Sequence, residues 1–227
     1  MQLSFTFSNS IDVYDARNFI VHDGNRDIFD FITSTYFINN NVYLLTGPSK
    51  SGKTYICNIW NKFKGATFIN SNIFDLCIDN FIKELNKLIL PEKKYILEDL
   101  EKINPKEEYL LYFLNFFAEK NALLLITSNK YVKEFEFFLP DLKSRFYNIF
   151  NFVLRDLNDD SKGQIILKLL TDKQLNIDSD TLNFITRKIS GSYDVIFDFV
   201  DNLERFLQLN KIKRIGIKNV RDIMNEK

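Results

Sequence analysis

An apolar run, a glycine-containing loop and a helical pattern follow one another near residue 50, and this order restricts the possible folds most strongly. The run NVYLLTG covers residues 41 to 47, and residues 53 to 63 have helical spacing of apolar side chains. Between them, GPSKSGKT fits the pattern G-x-x-x-x-G-K-[ST] at every fixed position. The order predicts a phosphate-binding loop that opens a helix.

The loop pattern assigns chemistry to its residues. Lys53 is expected to reach the β- and γ-phosphates of a nucleotide, and Thr54 to ligate Mg²⁺. The predicted nucleotide-binding residues of the loop are Gly47, Pro48, Ser49, Lys50, Ser51, Gly52, Lys53 and Thr54. A glycine turn that binds nothing does not explain Lys53 and Thr54 together. We therefore expect ATP or ADP with Mg²⁺ as cofactor.

Short apolar runs alternate with helical patterns through the first two thirds of the chain. The runs cover residues 41–47, 66–70, 93–99, 122–128 and 148–154, and the helical patterns cover 53–63, 72–89, 105–120 and 133–143. Nearly continuous apolar runs are typical of strands buried on both faces. The alternation predicts an α/β fold with a five-stranded parallel sheet flanked by helices.

Beyond about residue 156 the strand signal stops. Three helical patterns and a short fourth follow, each introduced by a capping candidate such as Asp or Ser. We predict three parts: an amino-terminal peptide (1–10), a nucleotide-binding α/β base domain (11–156) and a small all-helical lid domain (157–227).

An acidic pair follows one of the predicted strands, in YILEDLE. Glu98 is expected to meet the metal and Asp99 to polarise water, as the paired acids of phosphoryl-transfer sites do. The alternative is an acidic pair that is only solvated at a strand end.

Two further positions are candidates for the same chemistry. The next strand ends in LLLITSNK, and Ser128 or Asn129 at its tip could sense the γ-phosphate or the attacking water. Ser-Asn-Lys is also good turn chemistry. Arg145, near the end of a helical pattern, could complete the nucleotide site of a neighbouring molecule as an arginine finger. Alone, an arginine is more often a surface ion-pair partner.

Charge and cysteine content limit the function classes. Thirty basic and thirty acidic residues cancel, so no bulk positive field favours wrapping nucleic acid. Two cysteines and one histidine make neither a disulfide framework nor a recognisable metal cluster. No run approaches the roughly 18 apolar residues of a membrane span. We expect a cytoplasmic protein without a membrane partner.

The chain resembles an AAA+ ATPase in the order of its features. These are the phosphate loop, the acidic pair, the strand tip, the segment Ser144-Arg145-Phe146 and the helical tail. The chain further resembles the DnaA branch and, within it, the Hda family of DnaA-related regulators. ARNFIVHDGNRDIFDFI resembles the family's adenine-bordering segment, which implies that Phe19, Val21 and Asn25 bind nucleotide. LPDLKSRF resembles the segment with the trans-acting arginine, here Arg145, and ITSN resembles the end of the sensor 1 strand.

The amino terminus adds a second resemblance. QLSFTF is similar to the clamp-binding peptide of the Hda family, which implies polar contacts from Gln2 and an apolar anchor of Leu3, Phe5 and Phe7. The other interpretations were a first strand, for which no place remains in the predicted sheet, and a targeting stub, which lacks positive charge and apolar length. We expect a tag that orders only on its partner. Because the sequence ends after the predicted lid, we also expect the DNA-binding domain of DnaA to be lacking.

Three departures from the family pattern affect the predicted site. Asp194 stands where a sensor 2 arginine is usual, which reverses the charge beside the phosphates; Arg187 could compensate. Glu98 stands where Asp is common. His22 and Asp23 stand where the family often has Gly, at the adenine edge.

The resemblance implies a regulator of replication initiation. Its partners would be DnaA, whose ATP hydrolysis it would stimulate, and the DNA polymerase III sliding clamp, through which it would reach DNA at the nucleoid. A helicase loader or other DnaA-like DNA-remodelling ATPase is the main alternative. A P-loop kinase and an interaction module with a vestigial loop also stay open, as do self-association and the chain's own ATPase activity.

Overall fold

The structure is a computed structural model that describes residues 14–34, 40–210 and 215–225. The predicted clamp-binding residues Gln2, Leu3, Phe5 and Phe7 lie outside these ranges. Their role stays a prediction, and so do the three domain boundaries.

Five parallel strands form one sheet in the order β2-β3-β4-β1-β5. The strands are β1 (Val42–Thr46), β2 (Thr67–Phe68), β3 (Lys94–Leu97), β4 (Leu123–Ser128) and β5 (Phe150–Val153). Each lies within one of the five apolar runs, which confirms the predicted parallel sheet.

Helices separate the strands and then follow them. They are α1 (Arg26–Thr33), α2 (Lys53–Lys64), α3 (Ile78–Leu88), α4 (Leu100–Ile103), α5 (Glu107–Glu119), α6 (Pro140–Tyr147), α7 (Asp159–Asp172), α8 (Ser179–Lys188), α9 (Tyr193–Leu209) and α10 (Ile217–Asn225). The last four make up the helical region predicted after residue 156.

The helix predicted over residues 133–143 is wrong in its first half. A short 3-10 turn covers Val132–Glu134, an extended segment follows, and α6 begins only at Pro140. Proline suits the first turn of a helix and forces the residue before it to be extended, so Leu139 cannot continue a helix. The pattern over 72–89 is likewise divided into a 3-10 turn at Ser71–Asp75 and α3.

Both faces of the sheet are covered, as the apolar runs predict. Along β1, Leu44 packs into one core with Phe113 of α5, whereas Tyr43 and Leu45 pack into the other with Trp60 of α2. Successive side chains of a strand point to opposite faces. A strand that meets a core on each side therefore needs apolar residues at every position.

The segment that precedes α6, the helix of Arg145, is attached to α5. The Glu107 carboxylate accepts hydrogen bonds from the backbone N–H groups of Phe138 (2.9 Å) and Leu139 (2.7 Å). Phe138 is 95% exposed beside this contact. The Glu107 contact fixes the segment that leads into α6.

The last four helices have a core of their own, and one backbone contact joins them closely to the end of the sheet. The Leu157 N–H donates to the Gly191 carbonyl at 3.0 Å. A Cβ atom on Gly191 would lie 2.2 Å from the Leu157 carbonyl oxygen, which is far inside van der Waals contact. Glycine is therefore required where the chain enters α9.

Gly191→Ala is expected to lower the free energy of unfolding by about 1–3 kcal/mol, because backbone must move to admit the methyl group. Gly163→Ala is the control, since its Cβ would meet only the Thr186 side chain, at ordinary distances of 3.5 and 4.0 Å. Within α7, that change should stabilise by about 0.5–1 kcal/mol. Urea unfolding of both variants measures the difference. Equal stability of Gly191→Ala and wild type would contradict the close approach.

Candidate functional site

The carboxyl ends of three neighbouring strands bring the predicted phosphate loop, acids and strand tip together. Thr46, the last residue of β1, pairs in register with Ser128 of β4. The Asp99 N–H, just beyond β3, donates to the Thr127 hydroxyl at 3.1 Å. Ligands of open parallel sheets bind at this edge.

Two glycines give the phosphate loop its shape. A Cβ atom on Gly47 would lie 2.7 Å from Cβ of Leu154, so the loop passes too close to the end of β5 for a side chain. Gly52 precedes α2 with φ +95°, in the left-handed region that favours glycine. The loop then delivers its N–H groups at the amino end of a twelve-residue helix.

Lys53 is buried and folds back onto the loop. Its Nζ donates to the carbonyl oxygens of Gly47 and Pro48, both at 2.8 Å, and lies 3.5 Å from the Ser51 hydroxyl. Burial lowers the pKa of Lys53, and the negative charges of Glu101 and Asp99 oppose that shift. Thr54, one residue further, is exposed at the first turn of α2.

The two predicted acids are placed differently. Oε1 of Glu98 is buried and has no hydrogen-bond partner among the described residues. Asp99 has φ +56°, and its carboxylate lies 2.6 Å from Nζ of Lys102, with the side chain 37% exposed. Sequence reasoning missed a third acid, Glu101. Both of its carboxylate oxygens are buried and have no partner in the described part of the chain.

The signal for Glu101 is present in YILEDLE. The left-handed backbone at Asp99 starts α4, so Glu101 lies in the first turn of that helix. The sequence alone does not show where β3 ends, so it cannot tell whether Asp99 or Glu101 has the buried carboxylate.

At the tip of β4 the two candidates separate. The Ser128 hydroxyl is buried and accepts from the Lys130 N–H at 2.9 Å, so Ser128 supplies the turn chemistry. Asn129 follows it and is partly exposed at the carboxyl edge. Its role as a sensor of phosphate or water stays a prediction.

A cavity of about 220 Å³ lies between the phosphate loop, the segment before α1 and the helical region, and we name it the base–lid cavity. Its lining is mainly apolar and aromatic. The lining residues are Asn18, Phe19, Ile20, His22, Asn25, Lys50, Ser51, Gly52, Tyr55, Ile165, Lys168, Leu169, Asp172, Tyr193 and Phe197. An apolar, aromatic cavity beside a phosphate loop suits a nucleobase.

Of the three residues predicted at the adenine edge, Phe19 and Asn25 line this cavity. Phe19 stacks on Phe29, with ring centroids 5.6 Å apart. Asn25 shapes the segment, because its amide donates to the Ile20 carbonyl at 3.0 Å and accepts from the His22 N–H at 2.8 Å. Val21 is outside the described lining of the cavity.

His22 joins the base to the helical region. Its Nδ1 accepts from the Gly24 N–H, which leaves the proton of the neutral ring on Nε2, 3.1 Å from the Tyr193 hydroxyl. Burial lowers the pKa of His22, so the neutral ring is favoured in the folded state, although the Asp23 charge opposes this. The departure from glycine at position 22 therefore provides a contact between the two parts of the fold.

Two acids of α9 face the phosphate loop, at the place where the family pattern has a sensor 2 arginine. Lys50 Nζ lies 2.9 Å from Asp198 and 3.9 Å from Asp194. The hydrogen bond to Asp198 raises the pKa of Lys50. Arg187, the suggested compensating residue, is exposed and lines a different groove with Asp159 and Asp160.

Arg145 lies away from this edge of the sheet. Its Nη2 donates to the Leu114 carbonyl of α5 at 3.1 Å. The side chain lines a groove of about 560 Å³ together with Asn41 and Val42, at the amino end of β1. Because the phosphate loop follows the carboxyl end of β1, Arg145 is remote from the loop of its own chain.

The residues at the carboxyl edge suit a nucleotide with Mg²⁺. Mg²⁺ is usually held by one or two carboxylates, by phosphate oxygens and by several waters. The unpartnered oxygens of Glu98 and Glu101 are acceptors of the required kind, and the Thr54 hydroxyl is accessible. Among the described residues, no three or more His, Cys, Asp or Glu side chains are grouped so as to hold a metal.

Comparison with solved structures identifies the fold. Domain III of the replication initiation protein DnaA from Thermotoga maritima superposes with a TM-score of 0.67, at 16% identity, over 94% of this chain and 96% of that one. The fold is that of a DnaA-like AAA+ module. AMPPCP-bound DnaA from Aquifex aeolicus gives 0.66 at 16% identity, over 94% of this chain and 69% of that one. The RuvB Holliday junction branch migration motor of Thermotoga maritima gives 0.61 at 17%, over 82% and 61%.

Sequence comparison is less informative. No protein-family model matches the chain. An uncharacterised protein of Haemophilus influenzae is 25% identical over 133 residues, which are 57% of this chain and 57% of that protein. The match thus spans little more than half of the relative's length. In the part of the chain that the structure covers, no helix has the length and apolar character needed to cross a membrane.

Asp198→Asn is expected to raise nucleotide affinity about two- to fivefold, because Lys50 exchanges a half-exposed ion pair for phosphate contact. Asp222→Asn, the same charge change at an exposed position of α10, is the control. Titration with a fluorescent ATP analogue measures both, and the gain should shrink at high salt. Weaker binding by Asp198→Asn would instead mean that the Lys50 contact holds the cavity closed around the ligand.

Proposed function

We propose that this protein is a DnaA-like AAA+ regulator of chromosomal replication initiation. It would bind the DNA-loaded sliding clamp and stimulate ATP hydrolysis by DnaA, which inactivates DnaA. The position of Arg145 carries the proposal, because this arginine lies at the amino edge of the sheet while the phosphate loop lies at the carboxyl edge. An arginine so placed can serve a nucleotide site only in another molecule.

The protein's own nucleotide would have a structural role. A phosphate group entering the loop would replace the carbonyl oxygens that Lys53 now contacts, and a base in the base–lid cavity would contact Phe19 on one side and Tyr193 on the other. The bound nucleotide would supply the phosphate charge and the flat ring that join the α/β base domain to the helical region. The likeness to AMPPCP-bound DnaA supports nucleotide binding at this place.

The charge of the helical region also favours action in trans. A sensor 2 arginine would stabilise the phosphates of a nucleotide in its own site, whereas Asp194 and Asp198 present negative charge there. A structural nucleotide tolerates the lack of that arginine, whereas rapid turnover would not. The chain would work through the DnaA nucleotide rather than its own.

Docking on the clamp is the part of the proposal that rests on the amino-terminal peptide alone. Leu3, Phe5 and Phe7 alternate with polar residues, so an extended peptide would present all three on one side. DNA would then be reached through the clamp, which agrees with a net charge of zero.

A DNA-remodelling ATPase, such as a helicase loader, is the second candidate, and the likeness to the RuvB branch migration motor favours it. Such a protein would hydrolyse its own ATP and bind single strands along a basic groove. Single-strand binding with a steep salt dependence would support this candidate over the first.

Arg145→Ala should reduce the stimulated rate of the DnaA ATPase at least about 100-fold, since arginine fingers contribute about 10³–10⁵ in rate. Stability should change little, because only one hydrogen bond, worth about 1 kcal/mol, is lost. Lys143→Ala removes an exposed charge from the same helix and is the control. Phosphate release from ATP-DnaA with the loaded clamp is the assay. Full stimulation by Arg145→Ala would refute the finger.

Replacing Leu3, Phe5 and Phe7 by Ala should weaken clamp binding at least about tenfold, because the apolar anchor is lost. Ser4→Ala with Thr6→Ala changes the alternate positions and should leave the affinity within about twofold. A pull-down and a titration with purified clamp measure this, alongside a chain lacking residues 1–7. If that shortened chain binds the clamp as well as wild type, the peptide is not the docking element.

A further inference from the structure

The three carboxylate oxygens without partners need an explanation. They are Oε1 of Glu98 and both oxygens of Glu101, and each is buried. A buried carboxylate oxygen that accepts no hydrogen bond is costly, because water has been removed and nothing replaces it. Unpaired buried groups of this kind are retained mainly where a ligand or ion supplies the partner.

Asp99 does not share this situation. Its left-handed backbone turns the chain away from the strand direction, and its carboxylate is paired with Lys102 at 2.6 Å, at the surface. Leu100, the next residue, is buried in the core, and this anchors the start of α4. The acid that follows, Glu101, has both oxygens in the interior.

The charge of Glu101 also acts on Lys53 of the phosphate loop. Among the acids that oppose the burial-induced fall in the pKa of Lys53, Glu101 has the largest effect, ahead of Asp99. Yet Lys53 Nζ directs its hydrogen bonds to the loop oxygens of Gly47 and Pro48. The Glu101 carboxylate therefore interacts with the charge of Lys53 without accepting a hydrogen bond from it.

We propose that Glu101, together with Glu98, accepts hydrogen bonds from the water shell of the divalent cation that accompanies the nucleotide, so that Glu101 shares the metal contact that the sequence pattern assigned to Glu98 alone. This inference rests on nucleotide binding as proposed above. Three carboxylate oxygens that lack partners suit a hydrated Mg²⁺, which keeps several waters as hydrogen-bond donors and uses few direct protein ligands. Asp99 then serves as a surface partner of Lys102.

Three isosteric changes separate the two acids. Glu101→Gln removes the charge of the buried acid, Asp99→Asn removes that of the partly exposed one, and Glu108→Gln is a matched control at an exposed position of α5. The affinity for a fluorescent ATP analogue is measured for each with MgCl₂ and with EDTA. Binding of Mn²⁺ in the presence of ATP, followed by electron paramagnetic resonance, is the second readout.

Glu101→Gln should lose at least about fivefold of the affinity that Mg²⁺ adds, bind Mn²⁺ with ATP correspondingly more weakly and keep the affinity measured in EDTA. Its melting temperature in EDTA should equal or exceed that of wild type, because an uncompensated buried charge has been removed. A merely structural Glu101 would show the opposite, a lower melting temperature with an unchanged Mg²⁺ effect. Asp99→Asn and Glu108→Gln should keep the full Mg²⁺ effect.

If Glu101→Gln keeps that effect, or Asp99→Asn loses it, the inference is overturned while the proposed nucleotide site stands. A folded wild type that binds no nucleotide in either buffer would overturn both. Stimulation of DnaA by Arg145 is tested separately, so its failure would not be confused with failure of the cation contact.

Discussion

Hydrogen bonding of β1 to β4 on one side and to β5 on the other is the constraint on which the rest of the structure depends. The pairing continues past the strand end, where the Gly47 N–H donates to the Ser128 carbonyl at 3.3 Å and the Leu154 N–H donates to the Thr46 carbonyl at 2.7 Å. The start of the phosphate loop is thus held from both neighbours. The close approach of Gly47 to Leu154 follows from this, and so does the position of α2 and its lysine.

The two lysines of the loop are held by interactions of different strength. Lys50 is paired with Asp198 at a half-exposed position, where an ion pair contributes little to stability and is screened by salt. Lys53 is buried, and its partners are backbone oxygens that belong to the loop itself. A polyphosphate would displace the first pair easily, whereas the second requires the loop to change the direction of its peptide groups. Loop and lid therefore respond to a ligand through separate sets of bonds.

Most of the fold could be predicted from the sequence, because buried parallel strands and a glycine loop leave a strong local signal. All five strands and the helical region after residue 156 follow from that signal. The helix predicted over residues 133–143 is wrong in its first half because a distant carboxylate, that of Glu107, holds the residues before Pro140 extended. The spacing of apolar residues does not report such a contact. Pro140 itself was the available warning. Lys50 with Asp198, and His22 with Tyr193, could not be predicted either, since they join residues 148 and 171 positions apart.

The double contact of Glu107 with Phe138 and Leu139, together with the bond from Arg145 to Leu114, attaches both ends of α6 to the same helix, α5. Because α5 is packed on the sheet through Phe113 and Phe117, α6 inherits a fixed orientation. Because α6 is held in this way, the Arg145 side chain loses little conformational entropy on association, but it cannot adjust its position to a partner. Association through α6 would therefore be docking between two preformed surfaces, with a rate limited by mutual orientation. Small shifts of α5 would then change that rate without altering any residue at the point of contact.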